Sequence, residues 1–188
     1  NSALGGGFGS GFKVAGGYDF VNIDNDPMDG SGHGTGVAGV IAASGELSGI
    51  APDATLYAYK TQDTWGSGWS NNVIAALEYC VDPNQDFDLS DHMDIVNMSI
   101  ACYGINNNER EALAEIFKMA TSLKMIICVA AGNEGPGYID FNQLAIFDNV
   151  ISVGSCNLKN EISTFSCRGF GINNYCIKPD LVSLGENV

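Results

Sequence analysis

The sequence predicts an α/β fold with a parallel β-sheet that carries helices on both faces. Two apolar runs of strand length, residues 125–131 (MIICVAA) and 150–154 (VISVG), contain very few polar side chains. Residues 108–123 place apolar side chains at helical spacing, which predicts an amphipathic helix directly before the first run. Continuous apolar strands that alternate with helices are typical of parallel sheets covered on both faces.

Composition predicts a folded domain and argues against several classes of partner. The 188 residues are 45% hydrophobic and 16% charged, which is typical of a globular chain and sufficient for one domain over residues 1–188. The net charge of −14 disfavours nucleic acid and anionic membranes as partners, because few cations are available to neutralise phosphates. No apolar run approaches the length that spans a bilayer, so we expect no membrane insertion.

The chain begins with a glycine-rich stretch and an acidic loop. Residues 1–17 show no periodicity that predicts a regular element, and residues 18–23 predict a short strand or an extended segment. The loop that follows, around Pro27, could hold a calcium ion, but its spacing matches no complete ligand set, so a solvated acidic turn is favoured. The oxygen-bearing side chains of this loop are Asp24, Asn25, Asp26 and Asp29.

Residues 30–44 (GSGHGTGVAGVIAAS) predict a glycine loop that turns directly into a helix. Gly30, Gly32 and Gly34 allow unusual backbone conformations and the close approach of another surface. The small and apolar residues that follow predict a helix buried nearly all round. His33 then lies at the first turn of this helix, where a neutral imidazole could act as a general base near pH 7 or could merely cap the turn.

The rest of the chain continues the alternation. Strands are predicted over 55–60, 94–99, 125–131 and 150–154, and helices over 71–79 and 108–123. The last helix would open with Asn108 as its N-cap and Glu109 in its first turn. Carboxyl ends of parallel strands meet at one edge of a sheet, where ligands bind. We therefore expect His33, Ser99 and Asn133 to share that edge.

Six cysteines occur without any CxxC pair, which argues against a zinc cluster. Cys167 and Cys176 flank a short loop and could form a disulfide bond. Cys128 lies inside an apolar run and is expected to be a small buried hydrophobic residue. The redox state of the cysteines stays open.

Four segments, in this order, resemble the subtilase family of serine proteases. The first resembles the histidine motif, the second the strand whose end binds extended peptide, the third the oxyanion segment, and the fourth the stretch that leads toward the nucleophile. The resemblance covers almost the whole chain. The segments are GHGT at 32–35 with VAGVIAA shortly after it, DIVNMS at 94–99, AAGN at 130–133, and TFSCRG at 164–169 with KPD at 178–180.

The resemblance implies a role for each matched residue. His33 would take the proton of a serine hydroxyl and return it to the leaving amine, and the side chain of Asn133 would bind the carbonyl oxygen as it becomes negative. Two backbone segments would hold an extended peptide between them. One is formed by Ser99, Ile100 and Ala101, and the facing one by Ala130, Ala131 and Gly132.

The same resemblance implies a subtilisin-like three-layer sandwich and a secreted endopeptidase that acts on peptide or protein substrates. Such a reaction requires no cofactor, and calcium is expected only as a structural ion. The family's Asp-[Ser/Thr]-Gly and Gly-Thr-Ser-Met-Ala motifs are absent from the sequence. We therefore expect a fold that is incomplete at both ends, with residues 1–188 as the central part of a peptidase domain that is inactive alone.

Further departures from the family keep a second hypothesis open, that of a catalytically inactive subtilase-like domain that binds or scaffolds. Ala101 and Cys102 replace small glycines after the peptide-binding strand, and Gly36 stands where the family carries a second histidine. Residues 141–143 (FNQ) and 183–185 (SLG) replace proline-containing turns. A doubly wound domain that binds small molecules is disfavoured, because no GxGxxG loop joins a strand to a helix.

Overall fold

A computed structural model of the chain describes residues 2–136, 141–171 and 177–186. The chain divides into two compact units, Asn1–Ala76 and Leu77–Val188. Over the described residues, no helix has the length and apolar character that crossing a membrane requires.

The first unit contains a parallel pair of strands and the helix that begins at the histidine. Its elements are a short 3₁₀ helix (Ser2–Leu4), β1 (Val14–Asp19), α1 (His33–Ala42), β2 (Leu56–Lys60) and the start of α2 (Ser70–Val81). Strand β1 pairs with β2 in parallel, and the last pair in the register joins Asp19 to Lys60.

Strand β1 lies four residues earlier than the strand predicted over 18–23, so the prediction of no regular element in residues 1–17 is also wrong. Glycine has a low strand propensity, so Gly16 and Gly17 within β1 interrupt the apolar pattern that would predict a strand there. The close approach of β2 requires them. A Cβ on Gly17 would lie 1.9 Å from the carbonyl oxygen of Ala58, and one on Gly16 would lie 2.7 Å from the ring of Tyr57.

Helix α1 is much less buried than predicted. Ala42 is buried, whereas the side chain of Val40 is 63% exposed. Within the first unit, the helix packs against the 3₁₀ helix Ser2–Leu4. Since so short an element covers only one side of a helix, the prediction of burial all round is wrong for the described chain.

The second unit is built on a parallel sheet. After the end of α2 it contains a 3₁₀ helix (Leu89–Asp91), β3 (Ile95–Met98), α3 (Asn107–Ser122), β4 (Ile126–Ala130), β5 (Ile151–Cys156), β6 (Gly169–Phe170), β7 (Ile177–Lys178) and β8 (Leu181–Leu184). Four strands form the parallel sheet in the order β3-β4-β5-β8, and β6 and β7 form a short antiparallel pair. The prediction of an α/β fold with a parallel sheet is confirmed.

Helix α3 and strand β4 supply several of the most deeply buried large side chains of the second unit. Leu113 and Phe117 of α3 are fully buried, and Ile127 and Val129 of β4 are nearly so. Phe117 packs edge to face on Phe147, with ring centroids 5.1 Å apart. Full burial of each such side chain contributes about 1.5–3 kcal/mol. This packing fixes the strand that leads into the predicted oxyanion segment.

The strands of this sheet alternate in burial. Val96 and Ile127 are buried, whereas Ile95 and Ile126 are exposed. Side chains two residues apart share a face of the sheet, so the described residues cover one face more completely than the other. The prediction of a buried strand over 94–99 is therefore wrong for one of its two faces.

Candidate active site

His33 is the first residue of α1, and its side chain is exposed. The preceding residue, Gly32, has φ = 86°, in the left-handed region that favours glycine, so the chain turns sharply into the helix. The backbone N–H of His33 donates to Ser31 Oγ at 3.2 Å. A Cβ on Gly30 would lie 2.3 Å from Thr64 Cγ2, which confirms the close approach predicted at that glycine.

The carboxylate of Asp29 holds the loop that carries His33. It accepts hydrogen bonds from the N–H groups of Ser31 and Gly32, both at 2.9 Å, and from the N–H and hydroxyl of Thr35, both at 2.7 Å. Partial burial raises the pKa of Asp29, but the hydrogen bonds from Thr35 and its neighbours outweigh it and hold that pKa well below its ordinary value. Sequence analysis missed this role of Asp29. The signal that could have found it is the position of an acidic residue just before the start of a helix.

The acidic loop is a solvated turn. Asp24, Asn25 and Asp26 are exposed, and Asp24 Oδ1 accepts the N–H of Asp26 at 2.9 Å. In the three described ranges, no three His, Cys, Asp or Glu side chains come together as a group that could hold a metal ion. The calcium alternative therefore gains no support from this loop.

Two segments of the second unit leave the same edge of the parallel sheet. Segment 99–102 follows β3, and segment 130–133 begins at the last residue of β4. The parallel register of these strands ends with the pair Met98 and Val129. The structure thus brings the Ser99 and Asn133 segments to one edge within the second unit, and His33 lies in the first unit.

The fully buried side chain of Asn142 joins these two segments. Its Nδ2 donates to the carbonyl oxygens of Ile100 at 2.9 Å and Ala130 at 2.7 Å. Its Oδ1 accepts the N–H of Cys102 at 3.1 Å. Sequence analysis identified this asparagine only as part of a replaced turn. The signal that could have found it is a polar pair inside the apolar stretch FNQLAIF, since buried polar groups require partners.

Asn133 lies in an exposed turn that Glu134 holds. Glu134 Oε2 accepts the N–H of Asn133 at 2.9 Å and the hydroxyl of Tyr103 at 2.5 Å. The hydrogen bond from Tyr103 lowers the pKa of Glu134 and outweighs the opposite effect of partial burial. A Cβ on Gly132 would lie 3.1 Å from both Cys167 Sγ and Glu134 Oε2, so this position suits glycine. Sequence analysis missed Glu134, although it directly follows the AAGN segment.

The buried Cys80 and the half-buried Cys102 are poor nucleophiles. Burial raises the pKa of Cys80 to about 12 and, together with the charge of Glu109, that of Cys102 to about 11. Both thiols are protonated at neutral pH, and the thiolate is the nucleophilic form. Cys128 is half-buried rather than buried. Cys176, one partner of the possible disulfide bond, lies outside the described residues.

Similar sequences extend over almost the whole chain. The serine protease AprX of Bacillus subtilis (strain 168) is 31% identical over 193 residues, which cover 94% of this chain and 42% of AprX. The minor extracellular protease Epr of the same organism is 33% identical over 160 residues, which cover 84% of this chain and 23% of Epr. The chain thus spans less than half the length of these two relatives.

A solved structure and a family profile agree with these relatives. Sphericase matches with a TM-score of 0.70 and 27% identity, over 87% of this chain and 55% of its own. This likeness confirms the subtilisin-like α/β fold. The sequence profile of the subtilase family matches residues 12–188. The chain belongs to the subtilase family.

Proposed function

We propose that residues 1–188 form the central part of a secreted serine endopeptidase whose triad aspartate and serine are supplied by sequence outside this chain. The observation that carries the proposal is the retention of both His33 and Asn133, each within its family motif, in a subtilase chain. The relative Epr is named as an extracellular protease, which supports secretion.

In the proposed reaction, His33 accepts the hydroxyl proton of the serine as the serine oxygen bonds to the scissile carbonyl carbon. The carbonyl π electrons move to the oxygen, and the side-chain amide of Asn133 donates a hydrogen bond to the oxyanion. As the electrons of the oxyanion re-form the C=O bond, the C–N bond breaks and His33 gives its proton to the leaving amine. Water then hydrolyses the acyl-serine by the same steps and restores the serine hydroxyl. The hydrogen bonds of Asp29 to Gly32 and Thr35 support this role, because they fix the backbone on both sides of the imidazole.

The proposed substrate is an extended peptide that lies between segments 99–102 and 130–133. Extended peptides bind to the edges of protein strands mainly through backbone hydrogen bonds, which tolerate many side chains. The groups that would take part belong to Ser99, Ile100 and Ala101 on one side and to Ala130, Ala131 and Gly132 on the other. The proposed reaction needs no cofactor.

A fluorophosphonate probe, which reacts with activated serines, tests the proposal on the full-length gene product. We expect labelling of the wild type and background labelling of His33→Ala. Asn133→Ala should lower kcat on peptides by about 100- to 1,000-fold, the cost of removing an oxyanion donor in a subtilisin. Asn149→Ala, at an exposed asparagine outside both segments, serves as the matched control and should retain full activity. A folded wild type that takes up no probe would refute the proposal.

An inactive subtilase-like domain used for binding or scaffolding is the alternative function. It is favoured by the replacement of family glycines with Ala101 and Cys102 beside the proposed peptide site. The full-length sequence discriminates between the two. An Asp-[Ser/Thr]-Gly motif before His33 together with a Gly-Thr-Ser motif after residue 188 supports the protease, and the loss of either motif supports the binding role.

A further inference from the structure

The side-chain amide of Asn142 has all of its hydrogen-bonding capacity in use. Both protons of Nδ2 are donated, to Ile100 O and Ala130 O, and Oδ1 accepts two N–H groups, those of Cys102 and Leu144, each at 3.1 Å. An asparagine amide offers two donors and one oxygen with two lone pairs, so no polar atom of this fully buried side chain lacks a partner.

These contacts begin where the pairing of β3 with β4 ends. The last pair of the register is Met98 with Val129, and beyond it the two chains run on as segments 99–102 and 130–133. The amide of Asn142 bonds to Ile100 in the first segment and Ala130 in the second, and its backbone N–H donates to Ala131 O at 3.0 Å. One residue thus ties both segments at the point where strand pairing has stopped.

We propose that Asn142 is a positioning residue that sets the separation of segments 99–102 and 130–133, and hence the width of the site for an extended peptide. The proposal rests on the proposed function, because it concerns the same peptide-binding site. Asn142 acts through the two segments and makes no contact with the substrate. A shift of about 1 Å in such segments is enough to cost roughly 100-fold in rate.

The polar side chain at position 142 indicates that this residue does more than fill space in the core. Burial of an amide is favourable only when every polar atom is bonded, and an apolar side chain of similar volume fills a core at no such cost. Three of the four side-chain bonds of Asn142 go to the two segments.

The test compares two measurements on the full-length gene product carrying Asn142→Leu. The first is the steady-state cleavage of a tetrapeptide p-nitroanilide that the wild type cleaves. The second is the rate of labelling by a small fluorophosphonate, which needs the serine but no extended site. We expect KM for the tetrapeptide to rise about 10- to 100-fold, with the rate of labelling within about threefold of wild type.

Ser163→Ala is the matched control, because Ser163 is also buried and hydrogen-bonded, to Ser155 Oγ at 2.8 Å, but lies outside both segments. It should lower the thermal midpoint and leave KM unchanged.

If Asn142→Leu does not fold, the same measurements are made on Asn142→Asp, since this variant keeps the side-chain shape and Oδ1 while losing the Nδ2 donor. We expect Asn142→Asp to raise KM with labelling preserved.

The outcomes separate this proposal from the proposed function. An unlabelled, folded wild type refutes the protease itself. A labelled wild type together with an unchanged KM in a folded Asn142 variant refutes only the positioning role. A parallel fall in peptide cleavage and labelling in a folded Asn142 variant also overturns that role, since it would show that Asn142 acts on the catalytic groups, such as Asn133, and not on the width of the peptide site.

Discussion

At the scale of single residues, the clearest electrostatic feature is the buried carboxylate of Asp19. It accepts hydrogen bonds from the N–H groups of Val21 and Asn22, from Asn22 Nδ2, and from Lys60 Nζ at 2.7 Å. Burial raises the pKa of Asp19, but the Lys60 hydrogen bond and the Asn22 and Val21 bonds outweigh it and lower that pKa to about 2. The end of β1, its partner on β2 and the following turn are thus held by one ionised group.

Lys60→Met should destabilise the protein strongly, because it leaves the charge of Asp19 buried without its cation. We expect the free energy of unfolding at pH 7 to fall by about 3 kcal/mol, the lower end of the range for a broken buried pair, since Lys60 keeps some contact with solvent. Urea denaturation measures this change. Lys118→Met, at an exposed lysine of α3, should stay within about 0.5 kcal/mol of wild type.

The same pair predicts a pH dependence. The folded pKa of Asp19, about 2, lies below its ordinary 3.8, so its stabilisation is complete above pH 4 and is lost as the pH falls from about 4 toward 2. The stability difference between wild type and Lys60→Met should shrink across that window. A difference that stays constant from pH 7 to pH 2 would contradict the assignment.

Residue roles were predictable from the sequence only where a local motif carries them. The glycines around His33 predict a helix start, and α1 does begin at His33. The partners of Asn142 at Ile100 and Cys102 are 42 and 40 residues away in the chain, and no local pattern encodes such contacts. Sequence analysis therefore located the candidate residues but not the side chain that links their segments.

At the scale of elements, α3 begins with a reciprocal cap whose N-cap residue, Asn106, lies two residues before the predicted Asn108. Asn106 Oδ1 accepts the N–H of Glu109 at 3.1 Å, and Glu109 Oε2 accepts the N–H of Asn106 at 2.9 Å. This capping box satisfies two backbone donors that a helix end leaves without partners. The N-cap predicted at Asn108 is wrong, because three successive asparagines at 106–108 fit the same pattern.

Substitution of the asparagines one at a time distinguishes the cap from its neighbour. Asn106→Ala should lower the free energy of unfolding by about 1 kcal/mol, because the Glu109 N–H loses its acceptor. Asn108→Ala should be neutral or slightly stabilising, since alanine is the better helix former inside the first turn. Thermal denaturation of the two variants gives the comparison, and equal losses would show that neither side chain is the specific cap.

The elements that the sequence predicted well are those with strong apolar periodicity. Strands β2, β4 and β5 and helices α2 and α3 lie within two residues of their predicted ranges. Strand β1 was misplaced because Gly16 and Gly17 interrupt its pattern, and the two-residue strands β6 and β7 are too short to show any period. The exposure of Val40 was not foreseeable, since apolar composition does not reveal which faces of a helix are covered.

At the scale of the whole molecule, buried apolar volume is concentrated in the second unit. Among the described residues, the largest fully buried apolar side chains are Phe117, Leu113, Ile127, Leu144 and Val129, all of them in Leu77–Val188. The buried apolar residues of Asn1–Ala76 are Leu4, Ala42, Ala43, Val73 and Ala76. Since stabilisation grows with the apolar area removed from water, we expect the second unit to be the more stable part of the described chain.

Hydrogen exchange should reveal this difference directly. Amides exchange through local and larger openings whose free energies follow the packing around them, so those of α3 and β4 should exchange at least about tenfold more slowly than those of α1 and β2. The comparison of helix with helix and strand with strand keeps the hydrogen-bonding pattern matched, and correction for intrinsic rates removes the effect of sequence. Exchange followed by mass spectrometry at neutral pH resolves these segments. Equal protection of α1 and α3 would contradict the expectation, because Val40 is exposed on the first helix whereas Leu113 and Phe117 of the second are fully buried.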